Sequence, residues 1–189
     1  PLIVNPSYHA IHATNFQGAV DAMEYLIGLG HRRIGYIGGR SELVSSSRRL
    51  EGYLSALKAA EIEVDEGLVF SGDYTTDTAV LCAQKMLTMK ERPSAIFASN
   101  DQSAIGVLQV AEEMGFSVPE DLSVIGFDNI PEASYLHLTT VDQFIADMGY
   151  QAAKTLFKVI EGTSTEPRIQ QMPTRLVIRD SCKQIGSGR

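Results

Sequence analysis

The sequence predicts an α/β protein built on a parallel sheet, and three observations carry that prediction. Residues 94–129 read as strand, helix, strand: the apolar runs 95–98 and 122–127 flank Ala104, Val107, Leu108, Ala111 and Met114, which recur at helical spacing until Gly115. Both runs end in a polar pair, Asn100-Asp101 and Asp128-Asn129. Upstream, the runs 33–37 and 69–70 alternate with helical patterns in the same way. A strand, crossover helix and strand of this length form a parallel pair, so both polar pairs leave one sheet edge, the edge at which open α/β sheets bind ligands.

Residues 1–4 are a short apolar run, and Asn5-Pro6-Ser7 is a turn. From 15 to 29, Ala19, Ala22, Met23, Leu26 and Ile27 trace one helical face, which Gly30 ends. Residues 33–37 follow as a buried strand broken by Gly38-Gly39. Leu50, Tyr53, Leu54, Leu57 and Ala60 define a second helix, and a strand at Val69-Phe70 leaves through Gly72-Asp73-Tyr74. A helix over 75–89, with Ala79, Cys82, Ala83, Met86 and Leu87 on one face, returns the chain to the strand at 95–98. Together these make one contiguous parallel unit. The pattern lapses from Pro131 to His137 and resumes as an extended segment at 138–141. A helix over 144–161 carries Met148, Ala152, Leu156 and Val159 or Ile160 on one face. Residues 162–167 are a polar linker, 176–178 a last strand, and 184–189 a glycine-containing tail expected to be mobile. Only about two strands precede Gly38, which is thin for a sheet.

At 189 residues the chain is worth about one to one and a half domains. With 44% apolar and 21% charged residues it can bury a core without staples. The net charge of −7 excludes a basic nucleic-acid grip on this portion itself. Cys82 and Cys182, isolated from each other, suit reduced thiols and a cytoplasmic protein better than a disulfide framework or metal site. No apolar run approaches the roughly 18 residues of a membrane span, and no signal-peptide pattern opens the chain. It begins at Pro1 without a methionine and reads as a fragment.

The run from Gly28 to Arg33 starts like a dinucleotide fingerprint but lacks the third glycine and precedes a strand instead of following one. Gly38-Gly39 follows a strand, yet no phosphate-loop lysine comes after it, which leaves a tight turn or hinge. There is no Gly-x-Ser-x-Gly elbow, and His9, His12, His31 and His137 include no metal-binding pair, so no metal or cofactor is expected. Arg48 and Arg49 lie early in their helix, where the dipole disfavours cations, so each needs an acceptor opposite: a carboxylate neighbour or a ligand. Asp101 is most simply the N-cap of its helix, which makes Asn100 the better ligand candidate. Asp128 either caps a turn or accepts ligand hydroxyl hydrogens. Tyr74 offers an aromatic face at the end of the third strand. Arg49, Tyr74, Asn100 and Asp128 would together give donor, stacking face, amide and acceptor on one rim, a set suited to a polyol or a planar heterocycle.

Six blocks in order carry a resemblance that covers essentially the whole chain. They are His31-Arg32-Arg33-Ile34 with Gly38-Gly39, the run 49–53 (RLEGY), 92–101 (RPSAIFASND), 118–129 (VPEDLSVIGFDN), 138–141 (LTTV) and 176–181 (LVIRDS). In these the chain resembles the effector-binding core of the LacI/GalR family of bacterial transcription regulators. The resemblance implies a two-lobed α/β fold of the periplasmic-binding-protein-like type I, with parallel-sheet lobes, helices on both faces and the N-terminal lobe incomplete. It assigns residues 1–39 and 144–162 to the N-terminal lobe, 40–137 and 168–181 to the C-terminal lobe, and 138–143 and 163–167 to lobe crossings, with a further crossing near 39–41. The family's first lobe begins several strands before Pro1, so an open or partner-covered sheet edge is expected there.

Carried over position by position, Arg49, Asn100 and Asp128 fall on ligand-contact positions, Tyr74 where an aromatic lines the pocket, and Gln143 or Phe144 just beyond the second crossing. The resemblance further implies a small-molecule effector, often a sugar, and a homodimer acting on operator DNA through a helix-turn-helix absent from this chain. Two rival readings stand beside it. A solute-binding protein on the same fold would carry a signal peptide where the regulator carries a helix-turn-helix. A sugar-phosphate or nucleoside hydrolase would use Asp101 and Asp128, but the chain lacks a metal constellation, nucleophile elbow or phosphate loop.

Overall fold

The structure is a computed structural model that describes residues 9–163 and 169–186. The opening apolar run at 1–4 and the turn at 5–7 lie outside the described residues, as do 164–168 and 187–189. Four parallel strands form the main sheet: β2 (Ile34–Ile37), β3 (Val69–Phe70), β4 (Ala95–Ala98) and β5 (Ser123–Ile125), in the spatial order β3-β2-β4-β5. The chain leaves β2 to one side for β3 and crosses to the other for β4, so the order reverses at β2. Ligand crevices open at such a reversal.

The strands alternate their side chains between two cores. Ile34, Tyr36, Ala95 and Phe97 face α1 (Asn15–Gly28) and α2 (Val44–Ala59), burying Ala19, Met23, Leu26, Tyr53 and Leu57. Ile37, Ile96, Ala98 and Val124 face α3 (Thr76–Leu87) and α4 (Asp101–Glu113), with Ala83, Met86, Val107 and Val110. A residue period of two on each strand is what divides them. Each helix pair closes on a glycine. A Cβ on Gly52 would stand 2.6 Å from the Phe16 carbonyl oxygen, and one on Gly106 2.7 Å from that of Thr76.

Where the periodicity lapses after Asp128 a short helix, α5 (Pro131–Tyr135), intervenes. It returns the chain to β6 (Thr140–Asp142), which bridges to the β5 end at Ile125–Thr139 and Asp128–Asp142 and pairs antiparallel with β8 (Arg175–Val177).

The second body is small. β1 (Ala10–Ala13) pairs in parallel with β7 (Ile169–Met172), and α6 (Ile145–Ile160) packs beside β1. No residue of α6 is buried, and its stripe of Ile145, Met148, Ala152, Leu156 and Val159 borders an apolar groove of about 690 Å³ with Ile11. Among the described residues these two strands pair only with each other.

Three sequence expectations need correction. The boundary at residue 39 does not separate the bodies, because β2 hydrogen-bonds along its length to β4; the first crossing lies instead between β1 and α1. Residues 169–172, expected in the C-terminal lobe, pair with β1, and the chain crosses again between Met172 and Arg175. At the expected mobile tail, Ile185 donates its N–H to the Leu29 carbonyl at 2.9 Å, so the described part of that segment is docked on the end of α1. Strand pairing is a non-local choice, and neither β1 nor β7 carries the apolar run that marks an inner strand.

The crossings are tied to one another. Thr14 donates its N–H to Met172 O at 3.0 Å, and Thr174 donates its own to Thr14 Oγ1 at 2.9 Å. Gly18 sits beneath them. A Cβ there would lie 2.8 Å from Thr174 Oγ1, 2.9 Å from Val141 Cγ1 and 3.0 Å from Phe127 Cε2.

Candidate functional site

The carboxyl ends of β2 to β5 deliver Gly38-Gly39, Tyr74, Ser99-Asn100 and Asp128 to one edge, and Arg49 reaches that edge from α2. Arg49 is 4% exposed and spends its Nε and Nη1 donors inward. Its Nε donates to Asn15 Oδ1 at 2.9 Å, and its Nη1 to Ser99 O at 2.5 Å and to Asp128 Oδ1 at 3.3 Å. The guanidinium carbon lies 3.7 Å from the Phe127 ring centroid and 5.8 Å from that of Tyr74, so aromatic faces support a cation removed from water.

Asp128 Oδ1 also accepts from Gln143 Nε2 at 2.6 Å. Burial pushes the Asp128 carboxyl up, and the Arg49 guanidinium and the Gln143 amide pull against that. Asp128 stands at φ +118°, a conformation that non-glycine residues rarely adopt. Strained backbone of this kind clusters at ligand clamps.

Tyr74, at φ +73°, lays its ring over Gly39, where a Cβ would fall 2.0 Å from the ring Cζ. Its hydroxyl stands 3.4 Å from Ser45 Oγ. Asn100 is 7% exposed and both ends of its amide are engaged: Oδ1 accepts Ser103 N–H at 3.0 Å and Nδ2 donates to Tyr74 O at 3.1 Å. Asn100, not Asp101, is therefore the N-cap of α4, which reverses the expectation from sequence. Asp101 is wholly buried in the first turn and accepts from Thr140 Oγ1 and the Ile130 N–H.

Of the six residues expected at the site, Arg49, Tyr74, Asn100, Asp128 and Gln143 share contacts. Phe144 stands apart: its ring lies 5.3 Å from the Arg175 guanidinium, and its N–H is held by Asp142 Oδ1 at 2.7 Å. Arg48 pairs with Glu51 at 2.7 Å on the exposed side of α2, the ordinary salt-bridge reading. Sequence reasoning did not select Asn15, Ser45 or Phe127. Asn15 carried a signal only as the first residue of a helical pattern, and Phe127 as the end of an apolar strand. Among the described residues no group of three His, Cys, Asp or Glu side chains is placed to hold a metal.

A cavity of about 460 Å³ lies between the two bodies, lined by His12, Thr14 and Gln171 on one side and by Phe16, Leu43 and Ser45 on the other. It adjoins the Arg49 cluster through Asn15 and Ser45.

Two α/β bodies joined by several crossings, with polar strand ends facing the space between them, define the periplasmic-binding-protein-like class. A family model of that description, "Periplasmic binding protein-like domain", matches residues 23–182. The chain is 37% identical over 171 residues to the HTH-type transcriptional repressor PurR of Vibrio atlanticus (strain LGP32), a match covering 89% of this chain and 51% of that protein. Among solved structures, a transcriptional regulator LacI from Bacillus cereus subsp. cytotoxis NVH 391-98 aligns with a TM-score of 0.91 at 31% identity, over 98% of this chain and 67% of that one. The transcriptional regulator CelR in complex with cellobiose aligns at 0.89 and 36% identity, over 96% and 56%. The chain belongs to the LacI/GalR family of transcription regulators. It spans about half the length of the curated relatives it matches.

No helix among the described residues is long and apolar enough to cross a membrane.

Proposed function

We propose that this chain is the effector-sensing domain of a LacI/GalR-type transcriptional regulator, binding a hydroxyl-rich small molecule, a sugar or a close relative, between its two bodies. The observation that carries the reading is Asp128. One carboxylate oxygen takes both the Arg49 guanidinium and the Gln143 amide, so a ligand engaging that carboxylate contacts the sheet edge and the lobe crossing together. Charge-assisted bonds from Arg49 and Asp128 would hold ring oxygens and hydroxyls, and Tyr74 would cover an apolar sugar face. The cellobiose complex of a 36%-identical regulator supports this ligand class.

A ligand that touches both bodies favours one relative orientation, and only its differential affinity for two orientations shifts their populations. In the whole protein this shift would reach operator DNA through a helix-turn-helix elsewhere on the polypeptide, in a cytoplasmic homodimer. The relatives it matches are named as transcriptional repressors, which supports a binding role.

The test is a thermal-shift and calorimetric screen of the full-length polypeptide against cellobiose, ribose, other sugars and purines, since a ligand bound to the native state raises its stability. At least one compound should stabilise the wild type, and Asp128→Ala should weaken its binding by about 2 kcal/mol or more. Undiminished binding of that compound to Asp128→Ala would overturn the site.

A further inference from the structure

We infer that Asp101 is a positioning residue that couples the ligand edge to the lobe crossing, one carboxylate holding both the backbone that aims Asp128 and the strand that delivers Gln143. The inference rests on the effector site proposed above and names what holds it in register. Asp101 is fully buried, and among the described residues no cation pairs with it. A carboxylate in that position is costly unless it is hydrogen-bonded on all sides. Here it is. Oδ1 accepts from Thr140 Oγ1 at 2.5 Å, Oδ2 accepts the Ile130 N–H at 2.9 Å, and the Asn129 N–H is a further donor. Asp101's own N–H returns to Phe127 O at 2.7 Å.

Three segments meet at this one side chain: the first turn of α4, which follows the cap Asn100; the loop 127–130, which carries Asp128; and β6, which runs into Gln143. The loop is the strained one, with Asp128 at φ +118° and Asn129 at φ +55°. Side-chain acceptance of the next two amides is a physical reason that conformation persists. The approach is close enough to require glycine beneath it, because a Cβ on Gly126 would fall 2.2 Å from Asp101 Oδ1. Burial pushes the Asp101 carboxyl up to about 7, the bonds from Thr140 and Ile130 pulling it down and the charge of Asp128 adding to the rise.

Three variants of the full-length polypeptide separate coupling from simple packing. Thr140→Val removes a donor on β6 alone. Asp101→Asn keeps an acceptor for the 129 and 130 amides while its Nδ2 can donate to Thr140 Oγ1. Asp101→Leu fills the space without a polar atom. Amide hydrogen exchange at Asn129 and Ile130 is read alongside calorimetric affinity for cellobiose, ribose and adenosine. Thr140→Val and Asp101→Leu should speed exchange at both amides by about tenfold or more, although Thr140 lies on another element. Asp101→Asn should restore exchange to within about threefold of wild type, and affinity for whichever compound binds should follow the same order. Exchange at 129 and 130 unchanged in folded Thr140→Val overturns the coupling. Should Asp101→Leu not fold, Thr140→Val and Asp101→Asn decide the matter. If none of the three compounds binds wild type, the ligand reading loses its support while the exchange measurement still decides the role of Asp101.

Discussion

Gln143 donates its side-chain amide to Asp128 Oδ1 at 2.6 Å, which joins the first residue beyond β6 to the end of β5. Arg49 closes on the same oxygen from α2. A group that leaves the sheet edge and a group at the crossing between bodies thus share one acceptor, and changes at that acceptor should be felt in both stability and binding.

Truncating the acceptor is the most direct probe. In Asp128→Ala the Arg49 guanidinium stays buried with only Asn15 Oδ1 and Ser99 O as partners. Because the Asp128 side chain is partly exposed, the expected loss in urea unfolding is about 1–3 kcal/mol, below the usual penalty for breaking a wholly buried pair. Asp128→Asn keeps an acceptor and should lose less; equal losses for both would place the effect in the charge and not in the hydrogen bond.

Gly18 lies where the three crossings converge, and Gly18→Ala forces a methyl group against Thr174, Val141 and Phe127 together. Overpacking at this point should cost about 1–3 kcal/mol in denaturant midpoint analysis and shift the relative orientation of the bodies. Gly28→Ala is the control. Nothing lies within 4 Å of its added Cβ, and helix propensity favours it by up to about 1 kcal/mol.

Gly39 admits the Tyr74 ring, whose Cζ would be 2.0 Å from an added Cβ. Gly39→Ala should displace that ring and lower affinity for the effector about tenfold, measured by calorimetry, with a crystal structure of the variant showing where the ring goes. A ring left in place with full affinity would remove Tyr74 from the site.

His31 gives a pH signature. It is fully buried, with Nε2 3.2 Å from Lys183 O and Nδ1 2.8 Å from Ser94 Oγ. Burial holds its pKa below the ordinary 6.5, with the Lys183 carbonyl opposing. The unfolded chain therefore binds a proton first. Stability is full above about pH 6.5 and falls as pH drops from there towards the folded-state value. His31→Gln should flatten that part of the stability profile between pH 7.5 and 5.5 in chemical unfolding.

The sequence by itself determined the α/β class, the parallel direction of its inner strands and the edge where polar residues collect. Those follow from local signals: apolar runs, helical spacing, and glycine stops such as Gly30 and Gly115. The family motifs added Gln143 and Phe144, which spacing alone does not single out, and the structure brings only Gln143 to the cluster. Only the tertiary structure decided which polar residue does what. Asn100 and Asp101 are adjacent and both can cap a helix; the loop behind α4 and β6 claims Asp101, leaving the cap to Asn100. Asn15 belongs to the Arg49 cluster because α1 and α2 pack close together at Gly52, 34 residues from the partner it serves. The boundary between bodies moved from residue 39 to the start of α1 because strand pairing joins residues 34–37 to 95–98. Partners of this kind are set by long-range packing, to which no window of neighbouring residues is sensitive.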